Sequence, residues 1–280
     1  MFLWGGAKMM GEFLSYGFVQ RGLLAGSLVA AACALIGVFL VLKRLSLIGD
    51  GMSHVCLTGV AAALLTSTNP VYMSVPVVVL ASLGIMKITQ KFKIYGDAAI
   101  GIVSAAGLSV GLLITAFAGG FNTDLLGYLF GSILTVSWDE AVLCGALLLA
   151  VLAALFFFYR AITSACFDEP FARTRGVKVD AVNTGLVVVT SIAVVLAFKV
   201  VGIFLISALL IIPPVSALLV ARTFKQVLWC SACFGVASVW GGVYFSFVFN
   251  IPSGATIILV NLLVLAVCYI VAKTGANHAR

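Results

Sequence analysis

Charge is scarce in this chain. Asp, Glu, Lys and Arg together supply 9% of its 280 residues, and histidine occurs twice, at His54 and His278. Hydrophobic residues make up 63%, and the mean hydropathy is +1.25. A water-soluble domain of this length needs a charged surface, so that class is excluded. Ten-residue segments of strict alternation are missing too, which excludes a transmembrane β-barrel. No Gly-x-x-x-x-Gly-Lys-Ser/Thr loop is found, so the chain cannot cradle ATP phosphates by that route. No His-Glu-x-x-His motif or cluster of acids occurs inside an apolar run, which argues against a membrane-embedded enzyme.

What the chain does have is apolar runs of about 18–25 residues, long enough to cross a hydrocarbon core about 30 Å thick. The fold class is therefore all-α: a polytopic transmembrane helical bundle of eight to nine spans. Candidate spans are 22–42, 50–67, 71–89, 98–118, 140–159, 181–199, 200–221, 226–249 and 254–272. A short interfacial helix from Glu12 to Gln20 is expected before the first span. That first span is read as retained, because no signal-peptide cleavage site follows it.

The formal net charge of +7 is not a nucleic-acid signature, since the basic residues sit at the ends of the apolar runs. Lys43-Arg44, Lys87/Lys91/Lys93, Arg160/Arg173/Arg175/Lys178, Arg222/Lys225 and Lys273/Arg280 alternate with weakly charged turns. All five clusters are cytoplasmic if nine spans run from an outside N-terminus to an inside C-terminus. The seven cysteines are scattered, mostly within apolar runs, and read as small packing residues. Cys230 and Cys233 form a CxxC with no histidine near it in sequence.

Two segments depart from a plain span. Residues 119–140 are short and glycine-punctuated, and are expected to form a re-entrant or half-length helix beside a translocation path. An external surface loop is the alternative. The span at 200–221 carries Pro213-Pro214, which predicts a broken helix.

The chemistry concentrates on the segment that begins after Arg44. An ionisable side chain inside a bilayer costs roughly 2.5–3.5 kcal/mol on insertion scales, and Asp50 and His54 lie there four residues apart. Ser46, Asp50, His54 and Thr58 repeat at that spacing and predict one slowly spiralling polar stripe. Ten residues from Arg44 place His54 about 15 Å in, near the midplane. A carboxylate with an imidazole suits zinc, manganese or iron(II). Two side chains fill only half a tetrahedral shell, so a second copy of the chain across a twofold axis is expected to supply the rest. Two alternatives stay open: an Asp–His hydrogen bond that pins helices together, and a proton relay.

The longest internal polar segment is Cys166–Asp180. Asp168 is expected to cap a two-turn helix that carries Glu169, Phe171, Ala172, Arg173 and Arg175 and stops at Gly176. Such a knob can dock into a groove of a cytoplasmic partner or serve as an ordinary connector.

Four motifs in order then resemble a known family: Gly49-Asp-Gly-Met-Ser-His54, Asp124-Leu-Leu-Gly-Tyr-Leu-Phe-Gly-Ser132, Phe167-Asp-Glu-Pro-Phe-Ala-Arg-Thr-Arg-Gly176, and Val201-Gly-Ile-Phe-Leu-Ile-Ser-Ala-Leu-Leu-Ile-Ile-Pro213. Together they resemble the permease subunit of bacterial zinc/manganese ABC importers, the ABC-3 family. The resemblance implies a type II importer permease in the bacterial cytoplasmic membrane, working as a homodimer. It implies two cytoplasmic ATP-binding subunits and a periplasmic or lipid-anchored metal-binding protein as partners. It carries Asp50 and His54 onto the cation path and Asp168–Gly176 onto the helix that couples to the ATPase. No resident cofactor is expected. Zinc is placed first as transported substrate, then manganese. An ion-coupled transporter that works without an ATPase is the competing reading.

Overall fold

The computed structural model describes residues 16–92, 95–117 and 136–278. They form ten α-helices and, among the described residues, no strand. In chain order these are α1 Gly17–Leu42, α2 Ile48–Leu65, α3 Pro70–Phe92, α4 Gly96–Phe117, α5 Trp138–Phe167, α6 Glu169–Thr174, α7 Val179–Val201, α8 Ile203–Val220, α9 Phe224–Phe249 and α10 Ser253–His278. Every expected span coincides with one helix. Eight are long and apolar enough to cross a membrane, and the apolar part of α8, Leu205–Val220, is shorter.

The interior belongs to α1 and α2. Their apolar stretches are 72% and 67% buried, against 17–28% for α3, α4, α5, α9 and α10, which present most of their surface to lipid. Small residues make the centre possible: Ala25, Ala30, Ala32 and Ala34 of α1 are fully buried. In lipid, helices associate through close packing rather than through exclusion of water, so small side chains favour tight approach. Helix α8 packs against α1, α2, α9 and α10, while α2, α3 and α4 form a group on the other side of the centre.

Three of the basic clusters meet at one end of the bundle. Lys43, just past α1, forms an ion pair of 2.8 Å with Glu169 of α6. The Phe224 ring at the start of α9 packs against Phe39 of α1 and Phe167 of α5, with centroids 5.6 and 5.4 Å away. The ends of α1 and α5 and the starts of α6 and α9 therefore share one end of the molecule.

Two expectations need correcting, and a third falls mostly outside the described residues. Residues 17–20 are not part of a separate interfacial helix but open α1, because Val19 and Leu23 already face the core at 1% and 3% exposure. Residues 12–15 lie outside the described residues. Most of the 119–140 segment lies outside them too. Its last residues start α5 instead, where Ser137 and Glu140 form a reciprocal capping box. Finally, α8 runs unbroken through Pro213 and Pro214. Each proline removes one backbone hydrogen bond, and the surrounding helices hold the remainder. Where a helix does end is Gly202, with φ 81° and ψ 165°, a conformation that favours glycine.

The Pro214 ring leaves the Leu210 carbonyl without its helical donor. That carbonyl faces Gly37 of α1 so closely that a Cβ at Gly37 would overlap it and press on the Pro214 ring. The glycine lets α1 and α8 pack backbone to backbone.

Candidate metal pathway and coupling knob

Helix α2 is buried on nearly every side. From Ile48 to Ala63 only Asp50, His54, Thr58 and Ala62 are not buried, one residue per turn. The open face of the most polar interior helix is thus a single stripe, and it carries the acid and the imidazole. Ser46 is not on it. It falls in the turn before α2, whose N-cap is Leu47, so the helical stripe begins at Asp50.

Asp50 sits in the first turn of α2, where the helix dipole favours a negative charge. Its side chain is 53% exposed and that of His54 is 31% exposed, so both are open to a ligand. His54 Nε2 stands 3.7 Å from Asp50 Oδ2, beyond hydrogen-bond length. Both groups also belong to one helix. The pair therefore pins no two helices together, contrary to one of the readings of the sequence. The interhelical contact is made instead by Ser207 of α8, whose hydroxyl donates to Asp50 Oδ1 at 3.4 Å.

The flanks of the stripe come from two helices. On one side α8 supplies Ser207, and Leu210 packs at Gly49. On the other side α4 lies against Gly51, Val55 and Thr58. The Thr58 hydroxyl donates to the Gly107 carbonyl of α4, so Thr58 serves the α2–α4 contact. Gly107 and Gly111 permit this approach. Ser207 escaped the sequence reading. Its one signal was being the sole hydroxyl between Val201 and Pro213. Among the described residues no group of three or more metal-ligating side chains exists, so Asp50 and His54 stand as a pair of candidate ligands with no third beside them.

The polar segment after α5 forms the short helix α6. The Asp168 carboxylate accepts from the Phe171 amide at 3.0 Å, and Gly176 ends the turn with φ 79°. Ala172 is fully buried against Ala165 and Val179, so it anchors the knob and offers nothing to a partner. Arg173 is exposed but engaged, making two hydrogen bonds to Asp180 at 2.8 and 3.1 Å. Arg175 lies over the Phe171 ring at 4.7 Å. Glu169 accepts from Lys43 Nζ at 2.8 Å and from Asn183 at 3.3 Å. The Lys43 hydrogen bond is the main reason the Glu169 carboxyl is held below its usual value. The exposed apolar surface at the knob comes from Phe167, Pro170 and Phe171, with Phe167 also against Phe224 and Phe171 under Arg175.

Comparison with known proteins agrees with this architecture. The model of the ABC 3 transport family matches residues 15–272. The chain is 34% identical over 249 residues to the manganese transport system membrane protein MntC of Halalkalibacterium halodurans, covering 89% of this chain and 85% of that one. It is 31% identical over 262 residues to a probable iron transport system membrane protein of Haemophilus influenzae, covering 92% and 96%. Among solved structures, PsaBC from Streptococcus pneumoniae in complex with Fab superposes with a TM-score of 0.84 at 28% identity, covering 94% of this chain and 95% of that one. The helical bundle, its exposed apolar surface and this match over nearly the whole length lead to one assignment: the chain is a multi-pass membrane protein that belongs to the ABC 3 transport family.

Proposed function

We propose that the chain is the permease subunit of an ABC importer that carries a divalent transition-metal ion into the bacterial cytoplasm. The observation that carries this reading is the stripe on α2. A helix that from Ile48 to Ala63 opens only along Asp50, His54, Thr58 and Ala62 offers a cation a carboxylate and an imidazole at successive turns. Two ligands bind a metal weakly enough to release it, which suits a path better than a store. A second copy related by a twofold would face its own Asp50 and His54 across the stripe and complete a four-ligand shell.

The basic end of the bundle is the cytoplasmic one by the positive-inside rule. There the end of α5 presents Phe167, and α6 presents Pro170 and Phe171, to a pair of ATP-binding subunits. A metal-binding protein delivers the ion at the opposite end. The sequence alone ranks zinc before manganese. Two relatives are named for manganese and iron, so manganese takes first place, iron second and zinc third. Carboxylate-plus-imidazole ligation accepts each of these ions.

The test is uptake of labelled manganese and zinc by cells that express the complete system. Asp50→Ala and His54→Ala each reduce uptake to background, while the variant chains still co-purify with the ATPase. Wild-type uptake by both variants would sink the assignment.

A further inference from the structure

We infer that the chain binds one anionic phospholipid in a groove between α1, α5 and α7, with an acyl chain inside and the headgroup at Lys178. The groove is a cavity of about 500 Å³. Ile36 and Phe39 of α1 form its floor, Leu155 and Phe158 of α5 one wall, and Gly185 and Val189 of α7 the other. Every lining residue is apolar or glycine except Lys178. Water has nothing to bond to there, so the space is suited to hydrocarbon.

Dimension and charge identify the occupant. The α7 wall runs from Lys178 to Val189, eleven residues or about 16 Å. One leaflet of the hydrocarbon core is about 15 Å deep, so the groove is one leaflet long. Its polar mouth lies at the basic end of the bundle, where headgroups of that leaflet sit. Lys178 is exposed there and, among the described residues, has no ion pair, whereas Lys43 is tied to Glu169 and Arg173 to Asp180. A free ammonium at the mouth of an apolar slot between transmembrane helices is the arrangement that recognises an anionic headgroup.

The site is testable without transport, because a Cβ at Gly185 meets nothing within 4 Å. Gly185→Leu therefore starts its side chain in open space at a residue that lines the groove. The full-length protein is purified in detergent and titrated with phosphatidylglycerol or phosphatidylcholine of identical chains, with bound lipid counted by native mass spectrometry. Phosphatidylglycerol binds about fivefold more tightly than phosphatidylcholine, the contribution of one lysine near the surface. Lys178→Gln removes that preference, and Gly185→Leu removes one bound lipid of either kind while the thermal midpoint holds. Equal affinity of the wild type for the two lipids overturns the headgroup assignment. Unchanged stoichiometry in Gly185→Leu, or no tightly held lipid in the wild type because a second copy covers the groove, overturns the site.

Discussion

Ser207 donates to one Asp50 oxygen at 3.4 Å, and His54 stands 3.7 Å from the other. Neither contact is short, so the carboxylate can turn toward an incoming cation without breaking a strong bond. Ser207→Ala removes an orienting contact and leaves both ligands in place. It therefore raises the metal concentration for half-maximal uptake a few-fold, about 1 kcal/mol for one long hydrogen bond, and leaves the maximal rate unchanged. A lost maximal rate would show that the hydroxyl does more than orient. Asp50 and His54 were legible in the sequence because an ionisable side chain inside an apolar run is costly and rare. Ser207 was not, because one hydroxyl in such a run is ordinary and α8 meets α2 across 157 residues of chain. Ala172 counted among the coupling residues in the sequence for a similar reason, though it is buried. A six-residue helix is too short for its pattern to show which side faces the bundle. Gly37 gives a second prediction at this scale. Gly37→Ala drives a methyl into the Leu210 carbonyl and the Pro214 ring. Overpacking of this kind costs about 1–3 kcal/mol, so the thermal midpoint of the solubilised protein falls.

The element that joins the knob to the stripe is the turn at residues 43–47. Arg44 adopts φ 57°, and the Leu45 amide bonds back to the Leu40 carbonyl at 2.9 Å, which closes the end of α1 tightly. Lys43 enters that turn from one side with only 5% of its side chain exposed, bonded to Glu169 and to the Ala165 carbonyl at 3.0 Å. Helix α2, with Asp50 in its first turn, leaves from the other side. A shift of α6 thus reaches α2 through one ion pair and a five-residue connector. Removing Glu169 leaves a nearly buried ammonium without its counter-ion, held by the Ala165 carbonyl alone, at roughly 1–3 kcal/mol given the half exposure of its partner. Lys43→Glu lowers metal transported per ATP hydrolysed while ATPase binding persists. The exchanged pair Lys43→Glu with Glu169→Lys restores part of the ratio, and a failure to restore any of it would remove the ion pair from the coupling route. The pH dependence has a definite sign. The folded state holds the Glu169 carboxyl below its usual value, so the contribution of the pair is complete above the unfolded value. It is lost as pH falls through the folded one. In proteoliposomes the coupling ratio is flat across neutral pH and drops only in acid. The apolar helices around this turn were readable from run length alone. The link between α1 and α6 was not, because Lys43 and Glu169 are 126 residues apart.

At the scale of the whole molecule, burial divides the helices into an interior and a lipid-facing shell, and the stripe on α2 belongs to neither. An interior helix with one open row must face water, a partner or both. The residues along it decide between these in part. Asp50 and His54 at the basic half want water or a ligand, while Ala62 at the far half wants a packed neighbour. A twofold axis along the stripe, as proposed, would satisfy both demands, with a hydrated metal path where the acids face each other and close contact where only a methyl group is presented. Ala62→Cys, in a background with the seven native cysteines replaced, then forms a disulfide between two copies in membranes under mild oxidation. Phe157→Cys, on the lipid face of α5 with its native side chain 76% exposed, serves as the control and stays monomeric on a non-reducing gel. Equal cross-linking at both positions would mean random collision, and cross-linking at Phe157 alone would move the interface to α5. In either event Asp50 and His54 would have to find their remaining ligands in water rather than in a second chain. The metal path would then lie within a single subunit.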